Sequence, residues 1–206
     1  MTVVTPELPC HRAIVAVDVE GSTGRTNPEK VQMRRLMYEL VEQALDEAGI
    51  SEHCRDPLID RGDGILALIH PVDHAPKTLL LTVVVPTLSR LLAEHGLFRL
   101  RAVVHAGEVH FDDRGCFGEA VDVACRLLDA EPAKEKLRQV AAPLVLVVSD
   151  EIHRNVVRHG YDGIDVQAYE PLVQIDFAAG YRHTGWVTVP ALTGMPATQL
   201  RLRRVG

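Results

Sequence analysis

The sequence predicts an α/β fold in which helices pack on one sheet, and three observations support this prediction. The chain has 206 residues, 47% of them hydrophobic, but only nine aromatic ones (four Phe, four Tyr and one Trp), so its core must be largely aliphatic. Short β-branched runs alternate with segments whose apolar residues recur every three or four positions. The sequence shows no internal repeat or interdomain linker. We therefore expect one domain over residues 1–206, with a core at about 12–190 and an irregular tail at 191–206.

The N-terminal part predicts a strand, a loop and a helix. Residues 13–17 form an apolar, β-branched run that ends at Asp18 and is followed by turn-forming residues, which is typical of a buried strand. Thr26 is a suitable N-cap and Pro28 suits the first helical position. Apolar residues then recur at helical spacing as far as Gly49, so a long amphipathic helix is expected here.

The rest of the chain predicts further strands and helices. A segment reaching Ile59 and the apolar run 65–69 flank a tight corner at 60–64, a pattern typical of two strands joined by a turn. Residues 77–95 predict a largely buried helix with a break near Pro86. Residues 97–111 alternate in polarity as a long strand does. The remaining predicted elements are helices at 118–130 and 133–140, a strand at 144–148, a helix from 149 to about 159, and strands near 166–175 and 185–189.

The composition disfavours several classes of function. A net charge of −6 and a pI near 5.9 argue against general binding to nucleic acid or to anionic lipid. The longest apolar runs, 79–85 and 141–148, are far short of the roughly 20 residues that cross a membrane, and no signal peptide is evident. We therefore expect a cytoplasmic protein with no nucleic-acid or membrane partner and with reduced thiols. No zinc-type spacing joins the four cysteines Cys10, Cys54, Cys116 and Cys125.

Two acidic turns are the first candidate functional feature. Asp18 follows a predicted strand and Asp63 lies in the corner before another. Either residue alone is compatible with a structural turn aspartate, because its side chain can bond nearby backbone amides. If the two strands are neighbours, however, the carboxylates repel each other unless a cation lies between them. Oxygen ligands of this kind suit Mg²⁺ or Mn²⁺, as in two-metal phosphoryl or nucleotidyl transfer.

Two further groups of residues could contact phosphate. The segment Glu20-Gly21-Ser22-Thr23 offers backbone amides and two hydroxyls next to Asp18, although it does not match a P-loop. Asp122 and Arg126 lie four residues apart on one predicted helix face. Their spacing is compatible with a surface ion pair and equally with an arginine that offsets charge in a transition state.

The motifs AIVAVDVEGST, DRGDGILAL, LRAVVHAGEVHFDDRGCFGEAVDVACRLLDA and LVLVVSDEI resemble, in order and spacing, the catalytic domain of the class III nucleotidyl cyclases. The match runs from about Ala13 to Ile152, and the predicted strands up to Val189 fit the end of that domain. The resemblance implies a ferredoxin-like α+β fold with a central, mostly antiparallel sheet. It also implies that a nucleoside triphosphate is converted into a 3′,5′-cyclic nucleotide and pyrophosphate.

Site residues follow from the same resemblance. It implies that two Mg²⁺ or Mn²⁺ ions bind to Asp18, to Asp63 and to the backbone carbonyl of Val19. Arg126 corresponds to the arginine that stabilises the transferred phosphoryl group, and Asp122 stands where the family has a ribose-positioning asparagine. In the family the sites form at a head-to-tail homodimer interface, with the metal-binding aspartates from one subunit and the α-helical pair from the other. The segment that would wrap the triphosphate is Gly21, Ser22 and Thr23.

The positions that read the base depart from the purine cyclases. Ile59 stands where those enzymes have lysine or glutamate, and the partner position falls at Gly115 or Cys116. An apolar Ile59 cannot distinguish adenine from guanine by hydrogen bonds. This pattern resembles the bacterial pyrimidine cyclases of Pycsar antiphage systems, which signal to a separately encoded effector. It favours UTP over CTP, and Arg61 is the best candidate for an additional phosphate or base contact.

Three hypotheses follow. The first is an active metal-dependent cyclase, based on the joint presence of Asp18, Asp63 and Arg126. The second is a cyclase-like regulatory module that binds nucleotide without turnover, because Asp122 places an anion near a triphosphate. The third is an α/β interaction domain that binds neither nucleotide nor metal.

Overall fold

A computed structural model describes residues 8–177 and 180–191, so most of the tail predicted at 191–206 lies outside the described residues. The strands are β1 (Cys10–Val19), β2 (Ile59–Asp60), β3 (Gly64–Ile69), β4 (Leu100–Asp112), β5 (Gly115–Phe117), β6 (Leu144–Ser149), β7 (Glu170–Asp176) and β8 (Arg182–Thr188). The α-helices are α1 (Asn27–Glu47), α2 (Lys77–Leu79), α3 (Val85–His95), α4 (Glu119–Leu128), α5 (Glu131–Gln139) and α6 (Asp150–Asn155).

The strands form one mixed sheet in the order β2-β3-β1-β4-β6-β8-β7, and β5 pairs with β4 outside this order. Among the paired strands of the described residues, only β4 and β6 are parallel. The expected α+β architecture with a mostly antiparallel central sheet is therefore confirmed.

Helices cover both faces of the central strands. In β1, Ala13, Val15 and Val17 face α1 and α3, whereas Ile14 and Ala16 face α4 and α5. Burial on both faces explains why β1 is a nearly continuous apolar run and not an alternating one. The same division of side chains holds along β4, where the predicted alternation is confirmed although the strand begins three residues later than expected.

The long helix α1 begins and ends at the predicted signals. Both the backbone N–H and the hydroxyl of Thr26 donate to the Glu29 carboxylate at 2.7 Å. Asn27 is the first helical residue, so Pro28 occupies the second position, where its missing N–H costs nothing. Just beyond the helix, Gly49 has a φ of +72°, a conformation that favours glycine.

Some predicted boundaries were wrong for local reasons. The break expected near Pro86 is a π-helical turn at Leu80–Val84, since proline removes a donor from the helical ladder. The helix from Ser149 ends at Asn155 and is followed by a 3-10 turn. Residues predicted to start β7 form a 3-10 turn at Val166–Ala168. Strand β5 was not predicted, because three residues are too few to show alternation.

No helix in residues 8–177 and 180–191 combines the length and apolarity that crossing a bilayer requires.

Close packing at Gly185 of β8 provides a test of the sheet. A Cβ there would lie 2.8–2.9 Å from side-chain atoms of Leu127, Val147 and Val173. We expect Gly185→Ala to lower the free energy of unfolding by about 1–3 kcal/mol through overpacking, as measured by urea denaturation. Gly24→Ala is the control, because nothing lies within 4 Å of the Cβ it would add. Equal stability of the two variants would contradict this packing.

Candidate active site

The candidate site lies at one end of the sheet, where β1 and the turn between β2 and β3 meet. Asp18 is the penultimate residue of β1, and Asp63 immediately precedes β3. These antiparallel neighbours place Asp18 opposite Gly64, and the Val19 N–H donates to the Asp63 carbonyl oxygen at 3.0 Å. The structure thus brings the two aspartates to adjacent positions on neighbouring strands, as expected.

Two glycines of the corner at 60–64 permit this approach. A Cβ on Gly64 would collide with the carbonyl oxygen of Val17 on the neighbouring strand. Gly62 has a φ of +83°, which side chains with a Cβ rarely adopt. The corner can therefore turn tightly enough to place Asp63 beside β1.

The loop after β1 folds back over Asp63. Gly21 has a φ of +67°, and Ser22–Gly24 form a 3-10 turn. The buried hydroxyl of Ser22 donates to the Asp63 carboxylate. Gly21 and Thr23 are exposed beside it. Of the three residues expected to wrap a triphosphate, Ser22 contacts a candidate metal ligand and the other two face solvent.

The Asp18 carboxyl binds its proton unusually tightly. Burial raises its pKa from the usual 3.8, the Arg101 guanidinium opposes this rise, and the carboxylates of Asp63 and Asp129 add to it, with a net value of about 6. The negative charges at this end of the sheet are thus only partly compensated by the protein itself.

These residues fit a divalent cation. Carboxylate oxygens are the donors that Mg²⁺ and Mn²⁺ prefer, and a cation between Asp18 and Asp63 would relieve their repulsion. Within the described parts of the chain, no three His, Cys, Asp or Glu side chains are grouped to hold a metal. Any cation here would therefore take its remaining ligands from backbone carbonyls such as that of Val19, from water or from the phosphates of a substrate.

Arg101 is a site residue that the sequence reasoning missed. It lies opposite Asp18 in the β1–β4 register, its side chain is only 10% exposed, and its guanidinium pairs with the Asp18 carboxylate. Its Nε donates to the carbonyl oxygen of Leu128, the last residue of α4, at 3.2 Å. The available signal was an arginine near the start of a strand buried on both faces, because a buried guanidinium requires an anionic partner.

Two adjoining clefts lie beside the aspartates. A cleft of about 200 Å³ is lined by Asp18, Asp63 and part of α4, and a wider one of about 580 Å³ is lined by Arg126 and Asp176. Both clefts are lined by Arg61, by Cys125 of α4 and by Asp129, which directly follows α4, so the two clefts adjoin.

Arg61 is free to face these clefts because the neighbouring Asp60 has another partner. Arg34 of α1 binds the Asp60 carboxylate through both terminal nitrogens, at 2.6 and 3.0 Å. Asp60 therefore pairs with Arg34 and not with its neighbour Arg61. Arg61 is exposed and lines both clefts, which is compatible with a contact to phosphate or base.

Arg126 and Asp122 do not pair with each other within the described residues. The Arg126 guanidinium lies 4.2 Å from the centre of the Phe177 ring and donates to the carbonyl oxygen of Asp176 at 3.2 Å. Asp122 is exposed in the first turn of α4. The simple ion-pair interpretation is therefore wrong, and neither residue lines the smaller cleft that contains Asp18.

The two candidate base-reading positions are apolar or uncharged. Ile59 of β2 is opposite Leu66, and both Ile59 and Cys116 of β5 pack against the core cluster below α4 and α5. Burial raises the pKa of the Cys116 thiol, so it stays protonated at neutral pH. Gly115 is exposed, with a φ of +144°. No charged group at these positions could select a purine.

The Asp18 carboxyl is expected to titrate near pH 6 in the metal-free protein, which carboxyl ¹³C NMR can measure. The unfolded chain titrates near 3.8, so the folded protein keeps a proton between about pH 4 and 6 that the unfolded chain has lost. Raising the pH through this window therefore lowers the free energy of unfolding. Cation affinity should fall below pH 6, since protons compete for the same oxygens.

Asp56 is the internal control for this titration. Burial tends to raise its pKa, but hydrogen bonds from Arg12 and His70 lower it below the usual value. It should remain ionised while Asp18 titrates. A midpoint near pH 4 for Asp18 would contradict the arrangement described.

Comparison with solved structures identifies the fold. The chain is similar to an adenylate/guanylate cyclase/hydrolase from Silicibacter pomeroyi, with a TM-score of 0.61 and 20% identity, covering 91% of this chain and 100% of that one. It is also similar to the adenylyl cyclase CyaB from P. aeruginosa, with a TM-score of 0.61 and 11% identity, covering 93% of this chain and 98% of that one. No protein-family model and no curated protein matches the sequence. The chain therefore has the fold of these two cyclase structures.

Proposed function

We propose that this protein is a metal-dependent nucleotidyl cyclase that converts a nucleoside triphosphate into a 3′,5′-cyclic nucleotide and pyrophosphate. The observation that carries the proposal is the placement of Asp18 and Asp63 at adjacent strand ends, with Ser22 bonded to Asp63. The shared fold with solved adenylate and guanylate cyclases supports it.

In the proposed reaction the ribose 3′-oxygen forms a bond to the α-phosphorus, and the bond from that phosphorus to the pyrophosphate oxygen breaks. Divalent cations held by Asp18, Asp63 and the Val19 carbonyl would favour loss of the hydroxyl proton to solvent water and neutralise the phosphates. The backbone amides of Gly21 and Thr23, which are exposed residues, would orient the triphosphate. Arg126 would offset the charge that develops on the transferred phosphoryl group.

A homodimer would complete the site. Arg126 lines a different cleft from Asp18 within one chain, and its guanidinium is engaged by Phe177 and Asp176. We propose a head-to-tail pair in which Asp18 and Asp63 of one subunit face Asp122 and Arg126 of the other. Such a two-fold arrangement makes two equivalent sites, each incomplete in the monomer.

We propose a pyrimidine triphosphate as substrate, UTP in preference to CTP. Ile59 and Cys116 supply no charged group that would pair with a purine edge. Arg61, which lines both clefts, offers donors that suit the carbonyl oxygens of uracil better than the amino group of cytosine. A cyclic pyrimidine nucleotide would then act on a separately encoded effector, as in the antiphage systems that the sequence resembles.

A regulatory module that binds nucleotide without turnover is the second candidate. The exposed Asp122 carboxylate favours it, because an anion at a ribose-positioning site repels the triphosphate unless a cation or Arg126 neutralises it.

The decisive assay incubates the purified protein with Mn²⁺ and, separately, ATP, GTP, CTP and UTP, followed by chromatography of the products. We expect cyclic UMP as the main product and a loss of at least about 100-fold in Asp63→Ala, which removes a metal ligand. Asp56→Ala is the matched control, since Asp56 is a half-buried aspartate that pairs with Arg12 at the far end of β1. Absence of any cyclic product would reject the cyclase proposal. In that case, product formation by Asp122→Asn would support the regulatory module.

Mixing two inactive variants tests the shared site. Asp63→Ala and Arg126→Ala should each be inactive alone. Their heterodimer carries one intact site and one doubly defective site, so an equimolar mixture should recover about one quarter of wild-type activity. No recovery, with exchange of subunits verified by mass spectrometry, would show that each chain builds its own site.

A further inference from the structure

Stability alone does not explain why Arg101 forms a largely buried ion pair with Asp18. Its side chain is 10% exposed and Asp18 is 22% exposed, so both charges are largely withdrawn from water. A hydrophobic pair of similar volume often stabilises a protein as well as a buried ion pair does. Among the described residues, Arg101 is the only basic side chain in ion-pair contact with Asp18.

We infer that Arg101 is a positioning residue that stays paired with the Asp18 carboxylate until substrate binds. It thereby competes with a bare divalent cation for this carboxylate. The cation would therefore load together with the triphosphate and not before it. This inference rests on the proposed function only in assigning Asp18 as a cation ligand.

The local charges support this competition. Asp18 and Asp63 contribute two negative charges and Arg101 one positive charge, so a bare dication meets a net charge near −1 and a guanidinium beside its ligand. Asp129 lines the same cleft and also raises the pKa of Asp18, but its carboxylate is 76% exposed and pairs with Lys134 at 2.5 Å, so Lys134 offsets its charge. A bound triphosphate would supply the further negative charge that a dication needs at this site.

The second bond of Arg101 keeps it in place during this exchange. Its Nε donates to the carbonyl oxygen of Leu128 at the end of α4, so the guanidinium remains beside the site when a cation takes over Asp18. Since α4 also carries Asp122 and Arg126, Arg101 links the aspartate end of the site to the helix that would serve the partner subunit.

Binding of Mn²⁺ without nucleotide tests the inference, with free Mn²⁺ followed by electron paramagnetic resonance at pH 8. We expect Arg101→Met to bind Mn²⁺ at least about tenfold more tightly than the wild type, the size of effect that one nearby opposite charge commonly has on a carboxylate. Adding Asp18→Asn to this variant should remove the gain. Arg101→Lys, which keeps the charge, should resemble the wild type.

Arg12→Met is the matched control. Arg12 lies on the same strand as Asp18, is 14% exposed and pairs with the 23% exposed Asp56 at 2.7 Å, so its loss removes a comparable ion pair at the far end of the sheet. Its Mn²⁺ affinity should not change. A non-reactive UTP analogue should then tighten Mn²⁺ binding more in the wild type than in Arg101→Met.

Unchanged or weaker Mn²⁺ binding in Arg101→Met would overturn the inference, as would an equal gain in Arg12→Met. If Arg101→Met does not fold, ¹⁵N NMR of the arginine side chains in the wild type replaces it. The terminal NH₂ signals of Arg101, which pairs with Asp18 through a terminal nitrogen, should lose their protection from exchange when Mg²⁺ and the analogue are added together, whereas the Nε–H signal, bonded to Leu128, should keep it. Unchanged protection of the terminal signals would be a negative result. Both readouts are independent of turnover, so they are distinguishable from failure of the cyclase assay.

Discussion

The proximity of two like charges is the constraint on which the candidate site depends. The antiparallel register of β1 and β3 sets Asp18 opposite Gly64, and so sets the carboxylate of Asp63 beside it. Two carboxylates in this position are unfavourable without a counter-charge, and the chain answers with an arginine on the other neighbouring strand. Three surrounding features help to hold this pair. Gly64 has no Cβ that would collide with Val17, and the loop after β1 folds back over Asp63 and places the buried Ser22 hydroxyl against its carboxylate.

The arginine that is proposed to offset charge on the transferred phosphoryl group lies elsewhere on the same face of the sheet. Arg126 is displayed by α4, whose last turn is bonded to Arg101, whereas its own guanidinium rests on Phe177 near the end of β7. Arg126 thus lines a cleft that adjoins the one lined by Asp18 and Asp63 but does not line that cleft itself. The proposed dimer would supply Arg126 to the aspartates from α4 of a second copy.

Local patterns were sufficient to predict much of the architecture. The cap at Thr26, the apolar run before Asp18 and the glycines around Asp63 each act through near neighbours, so the sequence predicted a strand, a helix and a tight corner correctly. Arg101 could not be assigned in this way, because its contact with Asp18 spans 83 positions and depends on strand register. The contact between Arg126 and the end of β7 is likewise long-range, and it replaces the helical ion pair that spacing alone suggested.

The location of the proposed base-reading positions has a consequence for how such a protein could diverge. Ile59 lies on the two-residue edge strand β2, and Cys116 lies on β5, which is outside the main strand order. Asp18, in contrast, is on a central strand whose register also sets which side chains are buried on each face. If Ile59 and Cys116 read the base as proposed, substitutions at these edge positions would alter nucleotide preference while the central strands keep their packing. Selectivity for the base could then drift during evolution while the proposed cation-binding aspartates stay fixed.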